Sequence, residues 1–410
     1  MTSEILILTP SAIALATDSA VTVGGRKTYN GVNKLFMLSN DPPMGIMTYN
    51  LANFSHMPLE TIIKEFRHEI TNDFKTVSDF KYGFEEFLKK LLDNPEHTLS
   101  FHQILSKFVN EIKKELENVS TSTFENIVNN MAMNFDHGGL NDYYNDILKN
   151  VNQNENELIN LIPEYMDENK KNEFLENLKK FFIANAFIEP YTGIVITGFD
   201  DDRLFPSLVE FNITYLYDKK FILKTIEKED TDGKIVDKIN IKGSQVYVQP
   251  LAQSDVINTF LVSIDDYAEN EIVNYFEKIH DDYLNNLENA IKTNPNLKDK
   301  QDEVLKEISK IYMGNKLLSD NFKNFINTLK FNHSLPILES IAALPKEELS
   351  NLAESLINIT SLKRKVQTDL ESVGGPVDVA IITKGDGFIW TKRKHYFDGE
   401  LNPQFFKRNK

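Results

Sequence analysis

Ile5-Leu-Ile-Leu-Thr-Pro-Ser-Ala-Ile-Ala-Leu-Ala-Thr-Asp18 is two short apolar runs about a Thr9-Pro10-Ser11 turn. That is the pattern of a tight antiparallel strand pair. Asp18 closes the second run. Beyond the Gly24-Gly25 loop, Lys34 opens a third run, Lys34-Leu-Phe-Met-Leu38, and Gly45 to Tyr49 makes a fourth after the turn Asp41-Pro-Pro43. A charge at the end of an apolar strand is either a surface turn or part of a site. Thr2 stands ahead of both charges, directly behind Met1. Removal of Met1 would leave a threonine with its hydroxyl and free α-amine in one residue, a nucleophile carrying its own base.

From about Met57 the pattern changes, because Leu59, Ile62, Ile63, Phe66 and Ile70, then Phe80, Phe84, Phe87, Leu88 and Leu91, recur at helical spacing. Helical periodicity continues to about Phe187, with breaks near Asn94-Pro95, Gly138-Gly139 and Asn152. Extended segments return at Tyr191–Phe199, Phe205–Ile213, Phe221–Ile226 and Ile235–Ile241, with turns at Asp200-Asp-Asp202 and Thr231-Asp-Gly233. A helix is expected from Ser254, with helical stretches from Asp265 to Leu329 and from Pro345 to Arg364. Val377–Thr383 and Phe388–Lys392 flank Lys384-Gly-Asp-Gly387 as a closing hairpin. Strands at the beginning, middle and end are best joined in one α+β core. The expected core is 1–75, 187–270 and 345–400, interrupted by helical insertions at 76–186 and 271–344.

The 410 residues, 41% of them apolar, are enough for a substantial buried core. Sixty-one acidic against forty-five basic residues give a net charge of -16, so nucleic acid is not an expected partner. The one dense basic cluster, Lys392-Arg-Lys-His395, reads as a solvated end. Zero cysteines exclude disulfides, cysteine-ligated metals and a cysteine nucleophile. The chain has no basic leader and no apolar run of membrane-spanning length, so a cytoplasmic protein without a membrane partner is expected. The eight histidines lack zinc-ligand spacing, Gly24-Gly-Arg-Lys-Thr28 lacks phosphate-loop spacing, and Asp200-Asp-Asp202 reads as a turn rather than a cation site. No cofactor is expected.

Thr2 followed by Ala12-Ile-Ala-Leu-Ala-Thr-Asp-Ser-Ala-Val-Thr22 and Asn33-Lys-Leu-Phe36 resembles the start of proteasome β-subunits and their simpler bacterial relatives. Those proteins are N-terminal nucleophile hydrolases. Asp369-Leu-Glu-Ser372 with Gly374-Gly375 and the closing hairpin resembles the family's late segment, and Gly193–Asp200 with Leu204–Ser207 resembles its central hairpin. The resemblance implies a four-layer αββα sandwich. It further implies a Thr2 nucleophile, Lys34 tuning it, Asp18 holding Lys34, and Asp369 with Ser372 supporting the amine. Thr22 would bind substrate through its backbone, and the amide near Asn50 would bind an oxyanion. Ala20 stands where the family usually has arginine, Asn50 where it has glycine, and Val373 is one residue extra. Each residue also has a plain reading: Asp18 and Lys34 as a structural ion pair, Asp369 and Ser372 as a loop cap. The expected function is a threonine peptidase or amidohydrolase; the alternative is an inactive proteasome-like scaffold or binding protein. The implied partners are a peptide or protein substrate, a homo-oligomer and, by analogy only, an unfoldase.

Overall fold

The computed structural model describes residues 3–23, 27–138, 140, 143–230, 234–243, 245–297, 300–306, 316–366 and 374–404. The expected turns at Gly24-Gly25 and Thr231-Asp-Gly233 lie outside the described residues. Thr9 closes the first turn, its hydroxyl donating to the Ala12 carbonyl at 3.0 Å and accepting from the Ala12 amide at 3.1 Å. The strands Ser3–Leu8 and Ile13–Thr17 are thereby paired in register and buried along their whole length.

These two strands sit at the middle of a five-stranded antiparallel sheet in the order Tyr247–Ala252, Ser3–Leu8, Ile13–Thr17, Asp378–Thr383, Gly387–Lys392. The chain's last strands therefore lie beside its first. The second sheet runs Phe221–Thr225, Ser207–Tyr215, Thr192–Gly198, Pro43–Asn50, Leu35–Asn40, with Lys238–Asn240 also paired to Ser207–Tyr215.

Alternate side chains of a strand face opposite ways, so each fully buried strand needs cover on both faces. Leu6, Leu8, Ile13 and Leu15 point between the sheets and meet Leu35, Met47, Val195 and Phe199. Ile5, Ile7, Ala14 and Ala16 point outward onto Ile257, Leu349, Ala353 and Leu356, from the helices Asp255–Val262 and Lys346–Val366. On the far face of the second sheet, Ile46, Ile194, Ile196 and Phe211 pack on Ile62, Phe66, Phe80 and Phe84. Those come from the helices Leu59–Glu69 and Val77–Leu91. The layers thus run helix, sheet, sheet, helix, and the fold is α+β.

Asp200 does more than turn the chain. It is fully buried and accepts from the Val77 amide at 2.8 Å, the Ser207 hydroxyl at 3.2 Å and the Lys238 ammonium at 2.6 Å. It ties the start of the helix Val77–Leu91 to the second sheet. The helices Phe101–Leu116, Thr121–Met133, Tyr144–Gln153 and Glu168–Ile183 gather around their own aromatic core of Phe101, Phe108, Phe174, Phe181 and Phe182. Two longer helices, Asp266–Thr293 and Lys316–Ala342, pair antiparallel. Phe276 stacks on Phe322 with ring centroids 4.0 Å apart, and Lys330 reaches Glu269 at 2.7 Å. Among the described residues no helix is long and apolar enough to cross a membrane.

Candidate functional site

Asp18 lies just past the end of Ile13–Thr17 and is fully buried. A carboxylate taken out of water needs donors for both oxygens. One oxygen accepts the Lys34 ammonium at 2.6 Å and the Ser3 amide at 3.2 Å; the other accepts the Gly374 amide at 3.0 Å. Lys34 is nearly as buried, and its carbonyl accepts the Thr48 amide at 2.9 Å, fixing its backbone to the second sheet. One carboxylate thus joins the first strand, the segment leading into the second sheet and the late Gly374-Gly375 bend. Gly375 adopts φ +78, and a Cβ there would lie 2.9 Å from Asn30, so the bend requires glycine.

A second buried pair flanks the first. Asp378 sits opposite Thr17 in the sheet and accepts the Lys394 amide at 2.8 Å and also the Lys394 ammonium. Burial pushes the Lys394 ammonium below its ordinary pKa, Asp378 works against that, and the like charge of Lys34 adds to the depression. Arg393 stacks on Trp390, 3.8 Å from the ring centre. The solvated end expected at Lys392–His395 is therefore corrected at Arg393 and Lys394. Sequence reasoning missed Asp378 and Lys394, although a lone acid inside the apolar run Val377–Thr383 was the available signal.

Beside Lys34 opens a cleft of about 330 Å³, lined by Val21, Lys34, Thr48, Tyr49, Asn50 and Glu60 among others. Tyr49 is held by a buried network: its hydroxyl donates to Glu210, which pairs with Lys228 at 2.8 Å. Burial and the Glu210 charge push the Tyr49 hydroxyl well above its ordinary pKa, so it remains a donor. Gly193 lies under this ring, where a Cβ would come within 2.0 Å of it. Glu60 is drawn upward by burial, but its hydrogen bonds from Lys64 and Asn33 prevail and hold it below the usual carboxylate value.

Asn50 ends its strand at φ 68, a left-handed conformation that asparagine tolerates, and its side-chain amide donates to the Tyr191 carbonyl at 2.9 Å. Leu51, Ala52 and Asn53 also line a second hollow of about 330 Å³, which is bounded by Ile104 and Phe108 of the first helical block. Its far wall includes Asn185 and Ala186 of the π-helical turn Ala184–Ile188. The two hollows share Leu51, Ala52 and Asn53 as wall residues.

The structure thus brings Asp18, Lys34 and Gly374 together and sets Asn50 on the adjoining cleft. Thr22 lies in the short strand Ala20–Val23, opposite Thr28, with only its backbone described. Thr2, Asp369 and Ser372 lie outside the described residues. What the described geometry holds is a buried ammonium, fixed by a carboxylate that also accepts the amide of the residue bonded to Thr2, and lining a cleft.

No family model matches the sequence, and no curated protein matches it. Among solved structures the chain is similar to Anbu (ancestral beta-subunit) from Yersinia bercovieri, at 9% identity and a TM-score of 0.31, over 99% of this chain and 94% of that chain. At that score a likeness is too loose to carry a fold.

Proposed function

We propose that this chain is a proteasome-like N-terminal threonine hydrolase with an αββα core, acting on peptide bonds through Thr2 once Met1 is removed. The observation that carries the reading is the double use of one Asp18 oxygen, which accepts both the Lys34 ammonium and the Ser3 amide. Ser3 is covalently bonded to Thr2, so the buried cation and the proposed nucleophile are tethered to the same carboxylate.

In the proposed reaction the Thr2 hydroxyl oxygen attacks the scissile carbonyl carbon and its proton passes to the Thr2 α-amine, whose ordinary pKa of about 7.7 to 8.0 suits a general base near neutrality. Lys34, held in place by Asp18, stabilises negative charge on the attacking oxygen, and backbone amides near Asn50 receive the carbonyl oxygen. The carbon–nitrogen bond then breaks, the protonated amine returns its proton to the leaving nitrogen, and water hydrolyses the threonyl ester. Asp369 and Ser372 are proposed to hold the amine, and Thr22 to pair with substrate backbone. Two neighbouring hollows that share Leu51–Asn53 suit an extended peptide better than a small amide.

Intact mass is the first test, and loss of Met1 is the expected result. Quantitative retention of Met1 removes the free amine and defeats the mechanism. With Met1 absent, Thr2→Ala should abolish turnover of a fluorogenic peptide panel and labelling by a threonine-directed electrophile. A processed protein that neither turns over nor labels would instead be the scaffold, a reading favoured by Asn50, whose side chain is committed to Tyr191 at the cleft.

A further inference from the structure

We propose that the helices Asp266–Thr293 and Lys316–Ala342 form a dimer interface, docking on the same pair in a second copy of this chain. The two helices face each other through Phe276 with Phe322, Glu277 with Lys323 and Glu269 with Lys330. A helix turns about 100° per residue, so positions just before an inward-facing residue form a flank. Ile272, Tyr275, Ile279 and Tyr283 fall on that flank of the first helix, ahead of the half-buried Val273, Phe276, His280 and Leu284. Phe325 and Leu329 fall on the corresponding flank of the second, ahead of Ile326 and Lys330. Because the pair is antiparallel, stepping back one residue turns both helices to the same side. The six side chains are 43% to 66% exposed and make one apolar face.

The area presented selects a second copy. At about 200 Å² for a fully exposed large side chain, six such exposures present roughly 650 Å² per copy. That approaches the about 800 Å² per partner of a stable interface and exceeds the few hundred Å² that monomers ordinarily leave open. Lys323 and Lys330 of the second helix are already paired with Glu277 and Glu269 of the same chain, so what the pair offers a second copy is the apolar face. A two-fold arrangement sets the same apolar face of each copy against the other and is self-complementary. Aromatic residues at the centre with acids such as Glu271 and Asp282 at the edge is also how protein interfaces are built.

Sedimentation of the full chain across micromolar concentrations tests this directly. The wild type should be dimeric, or a higher assembly containing this dimer. The double variant Ile279→Glu/Phe325→Glu should weaken the dimer by about a hundredfold or more. Both positions are exposed, so circular dichroism and the thermal midpoint of the dissociated variant should match a folded monomer. Met133→Glu, on an exposed site of the other helical block, should leave the mass unchanged. A monomeric wild type, or a double variant as dimeric as the wild type, overturns the proposal. So does a monomer whose hairpin instead captures a different protein.

Discussion

Lys392 and Lys394 stand two residues apart with the same charge, yet their surroundings oppose each other. Lys392 is half exposed and pairs with Glu354 at the surface, whereas Lys394 is 9% exposed and pairs with a fully buried Asp378. Surface pairs contribute at most about 1 kcal/mol, while removing one partner of a buried pair strands the other charge at a cost of about 3–5 kcal/mol. Lys394→Met should therefore lower the urea midpoint far more than Lys392→Met, at unchanged slope, and adding Asp378→Asn to Lys394→Met should recover part of the loss. Equal effects for the two lysines would mean that Asp378 is solvated after all. The same contrast explains what was legible at residue scale. Asp18 and Lys34 stood out because each ends an apolar strand, and both prove to be buried together. Lys394 did not, because its neighbours Lys392, Arg393 and His395 make a run that looks solvated, and its partner is set by strand pairing rather than by local sequence.

At the scale of elements, apolar runs identified the inner strands to within a few residues, since Ser3–Leu8, Ile13–Thr17, Thr192–Gly198 and Asp378–Thr383 are buried from end to end, but the edge strand Tyr247–Ala252, only half-buried along most of its length and holding Gln249 and Pro250, was missed. Fully buried strands show as runs whatever they pair with. The helical pattern misled at Leu329, where a break was expected and the helix instead continues through Pro336 to Ala342. Proline lacks the amide that should bond one turn back, a local cost of about 3 kcal/mol in a helix interior. Tertiary burial offsets it: Ile337 and Ile341, just beyond the proline, pack into the layer that covers the first sheet. Pro336→Ala restores the missing amide at an exposed position and should raise stability by about 1–3 kcal/mol, read as a higher thermal midpoint. A lower midpoint would show that Pro336 itself contributes to seating Ile337 and Ile341 in that layer.

At the scale of the molecule, strand blocks far apart in sequence pointed to one joined core, and the order of layers follows from which face each strand buries. How the two helical blocks sit was not legible, because amphipathic periodicity marks an apolar face without saying what covers it. Val77–Leu91 covers the second sheet, the helices from Phe101 to Ile183 cover one another, and Asp266–Thr293 has only Ile291 buried along 28 residues. Local stability follows burial. Amides of Ser3–Leu8 and Thr192–Gly198 should thus exchange with solvent only through global unfolding, whereas those of Asp266–Thr293 should exchange through local opening, orders of magnitude sooner. If the exposed face of that helix is covered by a second copy, its exchange must slow as protein concentration rises, while exchange in the inner strands stays fixed. Concentration-independent exchange at Ile272–Tyr283 in a sample known to be dimeric would place the dimer contact elsewhere. Slowing that tracks the dimer fraction would mean that this helix gains from a partner the stability its own chain does not supply.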